Sequence, residues 1–467
     1  MTQQGVRWTA DQVLALAPDA SSRKAGSKLG AAGPWSEAGS SGEGAVWGLC
    51  KGSGSKPYRT VVDTTGPAYK CSCPSRKFPC KHALGLLLLW AGSDDTVGPI
   101  GTEPDASAPP WAQEWLAGRR RRAEQQDRPA PVAGKGGDTE AARRRAERRA
   151  ERATAGVTEL EQRLTDLLRG GLAGAEQAGY ALWEETARRM VDAQVPGLAA
   201  RVQELGAIPA SGPGWPVRLL EECALIHLLD LAWLRRERLP GPLAATVRAR
   251  IGLPVSADGA PMRDRWQVLA QYDTADTKLT TRRIWVHGAE TDRTALLLSF
   301  GAAGRAPELA LPVGLSIDAE LSAYPGAGQL RAALGERHSA PEPTSARPRG
   351  VRTHEAAAAY GTALRDDPWL DSWPVTLREV IPVPAPEGRG GWQLADADGR
   401  CALPLTAAAT ARPGLWKLAA LSGGAPVTVF GECGHRGFTP LTAWPAAPEG
   451  TGAADASDAA PQATALA

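Results

Sequence analysis

Long apolar segments are missing from this chain of 467 residues. No apolar run approaches the roughly 18 residues that a helix needs to span a bilayer. The start, MTQQGVRWTADQ, has neither the basic region nor the apolar region of a signal peptide. We therefore expect a cytoplasmic protein that makes no membrane contact.

The chain has only seven cysteines, which is an odd number. Disulfide scaffolds are rare in reducing compartments, and an odd count leaves a thiol over. Three of the seven cysteines nevertheless lie within residues 71 to 82, in the stretch CSCPSRKFPCKH. Such clustering indicates metal or redox chemistry. A redox pair of thioredoxin type would need a CxxC motif beside a βαβ unit, and the sequence has neither.

The common motifs of nucleotide-dependent and hydrolytic enzymes are also missing. The sequence contains no GxxxxGK[ST], no HExxH, no GxSxG and no GxGxxG between a strand and a helix. We therefore expect a protein that is not an enzyme, and in particular neither an ATPase nor a helicase. An unfamiliar activity in the C-terminal half stays an open alternative.

Hydrophobic periodicity divides the chain into five segments and shows no internal repeat. They are an N-terminal module at 1–92, a basic linker rich in Pro, Gly and Arg at 93–155, a helical domain at 156–255, an α+β domain at 262–445 and a disordered tail at 446–467. In the first segment, Thr9 and Gln12 have the spacing of a capping box, which predicts a short helix. AVWGLCKG and PYRTVVDTT predict a hairpin, and AYKCSC predicts a third strand.

The cysteine cluster has the spacing of a closed metal site. Cys71 and Cys73 project from the same side of a strand, with alpha carbons about 7 Å apart. Thiolates bound to one zinc ion lie roughly 3.8 Å from each other, which two convergent side chains can reach. After a turn bounded by prolines, Cys80 and His82 form the second pair at the start of an apolar helix. Four such ligands leave no position for water, which is typical of a structural site.

The pattern CxC, a spacer and CxH, followed by the apolar HALGLLL, resembles the SWIM zinc finger over about residues 45–92. The resemblance implies Zn²⁺ bound by Cys71, Cys73, Cys80 and His82. It also implies an interaction with DNA, RNA or protein. Bacterial SWIM proteins often accompany a MoxR-type ATPase and a von Willebrand-type protein, which are therefore expected partners. The whole chain is predicted to be an α+β multidomain protein: a small ββα-type zinc-finger module, an all-helical middle domain and a mixed α+β C-terminal domain.

Positive charge surrounds the cluster. Seven basic residues and a single acid lie between Lys51 and Lys81. Those nearest the ligands form the predicted nucleic-acid-binding set, Lys70, Arg76, Lys77 and Lys81. The alternative is local neutralisation, because three thiolates and one divalent ion leave a net charge of −1.

Two further segments are candidates for binding surfaces. The helix after His82 is apolar on nearly every side from Leu84 to Trp90, so we expect it to be covered within the protein; a bare face would be a docking surface for a protein partner. The stretch RRRAERRAERA fits equally well a phosphate-binding helix and a solvated helix with internal salt bridges.

Other metal-ligand residues do not form a predicted site. Cys223 and His227 share a helix face among Leu and Ile, which favours a buried thiol and a core histidine. Cys433 and His435 form another CxH pair with Cys401 upstream, yet no fourth ligand follows at a suitable spacing. Most of the 16 tryptophans are predicted to lie in the core, among them Trp183, Trp233, Trp266 and Trp285.

Overall fold

The computed structural model describes residues 7–41, 44–52, 54, 56–65, 68–75, 77, 79–92, 108–127, 136–276, 279–302, 307, 309–328, 330–385, 391–446 and 462–467. Among these residues, none of the helices combines the length and the hydropathy that crossing a membrane requires.

The N-terminal module is an antiparallel sheet with helices on one face. Its elements are α1 (Ala10–Leu14), α2 (Ala20–Ser27), β1 (Trp35–Ser40), β2 (Ala45–Cys50), β3 (Tyr58–Asp63), β4 (Ala68–Cys71) and α3 (Lys81–Ala91), with the strands in the order β1-β2-β3-β4. The predicted capping box is confirmed: Thr9 Oγ1 accepts from the Gln12 backbone nitrogen, and Gln12 Oε1 accepts from the Thr9 nitrogen. The predicted hairpin and third strand correspond to β2, β3 and β4.

Helix α3 is buried within the protein, so it offers no docking face between Leu84 and Leu87. Two glycines permit the close packing around it. A Cβ atom on Gly85 would lie 2.5 Å from the Cβ of Leu29, and one on Gly26 would lie 2.7 Å from the Cβ of Leu84. Trp90 at its end is partly buried and packs edge-to-face against Trp8.

Part of the predicted linker is folded. Helix α4 (Pro110–Asp127) covers the outer face of the module's sheet, where Trp111, Trp115 and Leu116 pack on Trp47 and Val61. Helix α5 (Gly136–Gly170) runs through the boundary expected at 155 because its Ala, Arg and Glu residues favour helix and form i,i+4 pairs. Residues 93–107 and 128–135 of the predicted linker lie outside the described residues.

The middle of the chain is helical, as predicted. The bundle contains α5, α6 (Ala173–Asp192), α7 (Pro196–Leu205), α8 (Trp215–Leu234) and α9 (Gly241–Arg250), and a short 3-10 turn precedes α9. Helix α5 contacts α6 and α8, and α7 contacts α6, α8 and α9. Their core contains Trp183, Met190 and Trp233. Trp233 Nε1 donates to Thr154 Oγ1 at 3.2 Å, so even this buried indole has a partner.

The next unit is a closed barrel. It contains β5 (Met262–Ala275), β6 (Leu279–Gly288), β7 (Thr294–Ala302), β8 (Leu315–Ala323), β9 (Arg331–Arg337) and the short β10 (Glu342–Pro343). The meander β5-β6-β7 is closed by β9, which pairs in parallel with β7 and antiparallel with β8, while β8 returns to β5. Trp266 and Trp285 are buried on strands of this barrel, as predicted.

The last unit repeats this connectivity. It contains α10 (Thr353–Asp366), β11 (Ser372–Pro384), β12 (Trp392–Asp396), β13 (Ala402–Pro404), α11 (Ala407–Thr410), α12 (Gly414–Ser422), β14 (Val427–Gly434), β15 (Gly437–Trp444) and β16 (Thr464–Ala465). A parallel bridge from Leu405 to Phe438 links the end of β13 to β15, while β14 pairs with β11 and β15. Apart from the short strands β10 and β16, both units are five-stranded Greek-key barrels of the OB type, a structural repeat that the sequence pattern did not show.

The tail prediction is wrong for its last residues. Thr464 and Ala465 pair with Ala443 and Thr442 of β15, and the Leu466 side chain is buried in the core of the second barrel. The apolar ending explains this, because β15 offers it an edge for pairing and a core in which Leu466 is removed from water. Residues 447–461 of the predicted tail lie outside the described residues.

Candidate metal centre

The local fold places the four predicted ligands in two pairs. Cys71 is the last residue of β4, and Cys73 follows within the next bend. Cys80 is the N-cap of α3, with extended backbone angles, and His82 lies in the first helical turn. The N-terminal end of a helix carries partial positive charge, which favours a thiolate at that position.

The ligand atoms converge. One donor atom each from Cys71, Cys73, Cys80 and His82 lies within 4.8 Å of the other three. Cys71 Sγ lies 3.7 Å from His82 Nδ1, close to the separation that neighbouring ligands have around a tetrahedral ion. Cys80 and His82 are buried, and Cys71 and Cys73 are half-buried. The arrangement therefore fits a metal ion held by three thiolates and one imidazole, which is a closed coordination shell.

The protonation of the thiols reflects their crowding. Hydrogen bonding from Cys80, His82 and Thr60 lowers the pKa of Cys71 to about 4. The same contact with Cys71, together with burial, raises the pKa of Cys80 far above its usual range, and burial raises the pKa of Cys73. Three thiolates this close together repel one another, and a bound cation offsets that repulsion.

Strand β3 supports the ligands with two residues that the sequence pattern did not single out. Thr60 Oγ1 lies 3.3 Å from Cys71 Sγ, and the ring of Tyr58 packs on the His82 ring with 4.8 Å between centroids. The signal available in the sequence is alternation, because Tyr58 and Thr60 point to the same side of a strand predicted to neighbour the ligand strand. Contacts of this kind orient metal ligands.

The four predicted nucleic-acid-binding residues differ in their exposure and in their ion pairs. Lys70 and Lys81 are exposed, and neither has an ion pair within the described part of the chain. Lys77 is exposed but pairs with Asp19 at 2.6 Å, and this contact holds the pKa of Asp19 well below its usual range. Arg76 lies outside the described residues.

The other Cys and His residues that the sequence analysis considered lie outside this ligand group. Cys223 is buried, as predicted, and burial raises its pKa to about 11. The core position expected for His227 is wrong. Its side chain is 48% exposed, with Nδ1 2.7 Å from Glu161 Oε1, because positions 227 and 228 lie on the exposed side of α8. Cys433 is buried within the second barrel, and His435 Nδ1 lies 3.2 Å from the Tyr360 hydroxyl. Cys401 is exposed and belongs to a cluster that contains neither of them.

Fold and site together define a Cys₃His metal-binding module joined to a helical bundle and two barrels. The family model of the SWIM zinc finger matches residues 58–91, and that of the SWIM-associated four-helix bundle domain matches residues 148–251. The chain therefore contains a SWIM zinc finger followed by a SWIM-associated four-helix bundle domain. No curated protein and no solved structure matches it significantly. Neither family match extends to the two barrels.

Proposed function

We propose that this protein binds nucleic acid through phosphate contacts made by exposed cations, with a zinc ion that holds the finger in shape and no catalytic step of its own. The observation that carries the proposal is a set of exposed cations on two elements. The first group, Arg59, Lys70 and Lys81, lies on the zinc module. Exposed cations without acidic partners suit phosphate binding, because a carboxylate does not already neutralise their charge.

The second group lies on α5. Arg145, Arg148 and Arg152 are spaced by three and four residues, so they project from one face of the helix. All three are exposed, and no ion pair to them occurs among the described residues. Their neighbours Arg143 and Arg144 instead pair with Glu147 and Glu140. One face of α5 therefore carries salt bridges, and another carries exposed arginines. Each of the two interpretations of RRRAERRAERA describes one of these faces.

The first barrel does not supply the binding face in this proposal. OB-type barrels commonly bind oligonucleotides on the outer face of their second and third strands. Here the outer side of β6 and β7 carries Trp285 and Leu296, which pack against Phe430 and Trp444 of the second barrel. The charge pattern, and not the fold, therefore supports nucleic-acid binding.

The test is a salt titration of binding to a DNA duplex and to a single strand of the same sequence. Replacing Arg145, Arg148 and Arg152 with Gln should weaken binding to duplex DNA and reduce the salt slope by about 0.9 for each phosphate that the variant no longer neutralises. The variant with Gln at Arg143 and Arg144 is the matched control, since those side chains already have acidic partners. Replacing Lys70 and Lys81 tests the finger separately. Equal binding by all variants would refute the proposal.

A second candidate is a protein adaptor, favoured by the surface of α8. Val217, Leu220 and Leu228 are 61%, 48% and 41% exposed, and with Ala224 they follow one helix face. This stripe replaces the α3 helix as the candidate docking surface, and the family resemblance suggests a MoxR-type ATPase or a von Willebrand-type protein as partner. Replacing Leu220 and Leu228 with Asp should abolish binding to the purified partner with nuclease present. Binding unaffected by these changes would exclude this surface.

A further inference from the structure

A second group of metal-ligating side chains lies at one end of the second barrel. Donor atoms of His354, Asp396 and Cys401 lie within 4.8 Å of one another. His354 is in the first turn of α10, Asp396 ends β12, and Cys401 directly precedes β13. The Asp396 backbone nitrogen donates to the Cys401 carbonyl at 2.9 Å, so the β12–β13 turn holds two of the three residues together.

The position of the Asp396 carboxylate is fixed by the protein, because its side chain is buried. The residue is 4% exposed. One carboxylate oxygen accepts from the Thr353 backbone nitrogen at 3.2 Å, and the other accepts from Thr353 Oγ1 at 2.9 Å. Among the described residues, each oxygen thus accepts one hydrogen bond and keeps a free lone pair. These two bonds fix the carboxylate beside the first turn of α10, where His354 follows Thr353.

The neighbouring charges leave the group accessible to a cation. The positive charge of Arg352, which precedes Thr353, is engaged by Asp398 at 2.9 Å and by Glu379 at 3.4 Å. His354 and Cys401 are exposed, so an ion can enter from solvent. A thiolate, a carboxylate and a neutral imidazole carry a total charge of −2, which one divalent ion neutralises.

We propose that His354, Asp396 and Cys401 bind a second zinc ion, separate from the ion of the finger. The donor set selects the metal: thiolate and imidazole favour zinc over magnesium or calcium, which require oxygen ligands. Three protein ligands leave the fourth tetrahedral position open to water or to an exogenous ligand. Such an ion joins the first turn of α10 to the β12–β13 turn.

The experiment uses the full chain and zinc alone. The protein is saturated with Zn²⁺, passed through a desalting column, and its metal content is measured per chain. The wild type should retain about two equivalents, while His354→Ala and Cys401→Ser should each retain about one. Cys433→Ser is the matched control, because this thiol is buried in the same barrel and lies outside the group, so it should retain about two.

Cobalt substitution provides an independent signal. The Cys401→Ser variant should lose part of the sulfur-to-cobalt absorption of the wild type, whereas the Cys433→Ser variant should lose none. Circular dichroism checks that all variants fold; His354 and Cys401 are exposed, so their replacement should leave the fold intact. Wild-type protein that retains one equivalent, or a Cys401→Ser variant with wild-type zinc content and cobalt spectrum, would overturn the proposal and leave Asp396 as a cap for α10 only.

Discussion

Cys80 has two structural functions at one position. Its backbone forms the N-cap of α3, and its side chain is one of the four ligands. Serine is a good N-cap residue, so a Cys80→Ser change preserves the helix start but removes a ligand. The effect of this substitution therefore separates metal binding from helix capping.

We predict that Cys80→Ser and Cys73→Ser each lose about one equivalent of zinc and destabilise the finger, because the binding energy of a structural zinc ion is also folding energy. Metal analysis and thermal unfolding measure the two effects. Cys50→Ala is the control: this thiol is buried in the same module but lies outside the ligand group. Normal zinc content in the Cys80→Ser variant would contradict the assignment of this ligand.

Asp230 is a buried acid in the helical bundle. Its side chain is 0% exposed, and neither carboxylate oxygen has a hydrogen-bond partner among the described residues. Burial, and secondarily the charge of Glu161, raises its pKa from 3.8 to about 9. The folded protein thus keeps the proton on Asp230, whereas the unfolded chain releases it above pH 3.8.

This difference predicts that the bundle becomes less stable as pH rises from about 4 towards 9, since the unfolded state binds fewer protons there. The slope for one such group is at most about 1.4 kcal/mol per pH unit. Asp230→Asn should flatten the dependence and raise the melting temperature at about pH 8. Glu221→Gln, an exposed acid on the same helix, should change neither. Parallel pH profiles of wild type and Asp230→Asn would disprove the prediction.

At the scale of elements, the packing of α3 depends on a glycine, Gly85, because the neighbouring chain approaches too closely for a larger residue. A Cβ atom at Gly85 would lie 2.5 Å from the Leu29 Cβ and 3.1 Å from its carbonyl oxygen. Backbone and side-chain atoms near Leu29 would both have to move, and overpacking of this kind costs about 1–3 kcal/mol. This cost exceeds the helix propensity gained when alanine replaces glycine, which is about 1 kcal/mol.

We therefore predict that Gly85→Ala lowers the melting temperature of the protein. Gly361→Ala is the matched control, because Gly361 lies within α10 and a Cβ there would meet nothing within 4 Å. This control should gain up to about 1 kcal/mol from helix propensity alone. Thermal and urea unfolding compare the two variants, and stabilisation by both would mean that α3 packs less tightly than the structure shows.

Much of the N-terminal module was predictable because its signals are local. The CxC and CxH pairs, the capping box at Thr9 and the alternation in β2 and β3 each involve residues close together in sequence. Strand β1 was missed, since WSEAGS has little β-favouring character and forms through pairing with β2. The same limit applies to the barrels: closure of β9 onto β7 and β8 depends on contacts between distant strands.

The grouping of His354, Asp396 and Cys401 was missed for a similar reason. Cys401 was compared with Cys433 and His435, which are near in type but not in space. The actual neighbour His354 precedes Cys401 by a helix and two strands. Ligand spacing identifies sites built on one turn, such as the finger, and does not identify sites assembled by tertiary folding.

At the scale of the whole molecule, the zinc module and the first barrel share one hydrophobic core. Leu84 and Leu87 of α3 belong to the same buried cluster as Val268, Ile284 and Leu315 of the barrel. Hydrogen bonds reinforce this contact: Trp8 Nε1 donates to the Pro341 carbonyl at 3.4 Å, and Gln12 Nε2 donates to the Gly314 carbonyl at 3.3 Å. The finger is thus a structural part of a larger unit.

The helical bundle instead has its own core and is joined to the second barrel. Trp369 is buried in the bundle core and donates through Nε1 to the Leu225 carbonyl at 2.9 Å. Arg250 donates to both carboxylate oxygens of Asp367, at 2.8 and 2.5 Å. Stability lost at the finger should therefore reach the first barrel before it reaches the bundle.

We predict that loss of the finger's zinc reduces hydrogen-exchange protection in both the module and the first barrel, while the bundle stays protected. Exchange is measured by mass spectrometry in the Cys80→Ser variant and the Cys50→Ala control, comparing residues 58–91, 262–302 and 196–250. Coupling follows from the connected core, because Trp8 packs against Trp90 of α3 and also donates to the Pro341 carbonyl on the barrel side. If protection falls in residues 58–91 alone, the barrel is stable without the finger, and zinc maintains only the module that binds it.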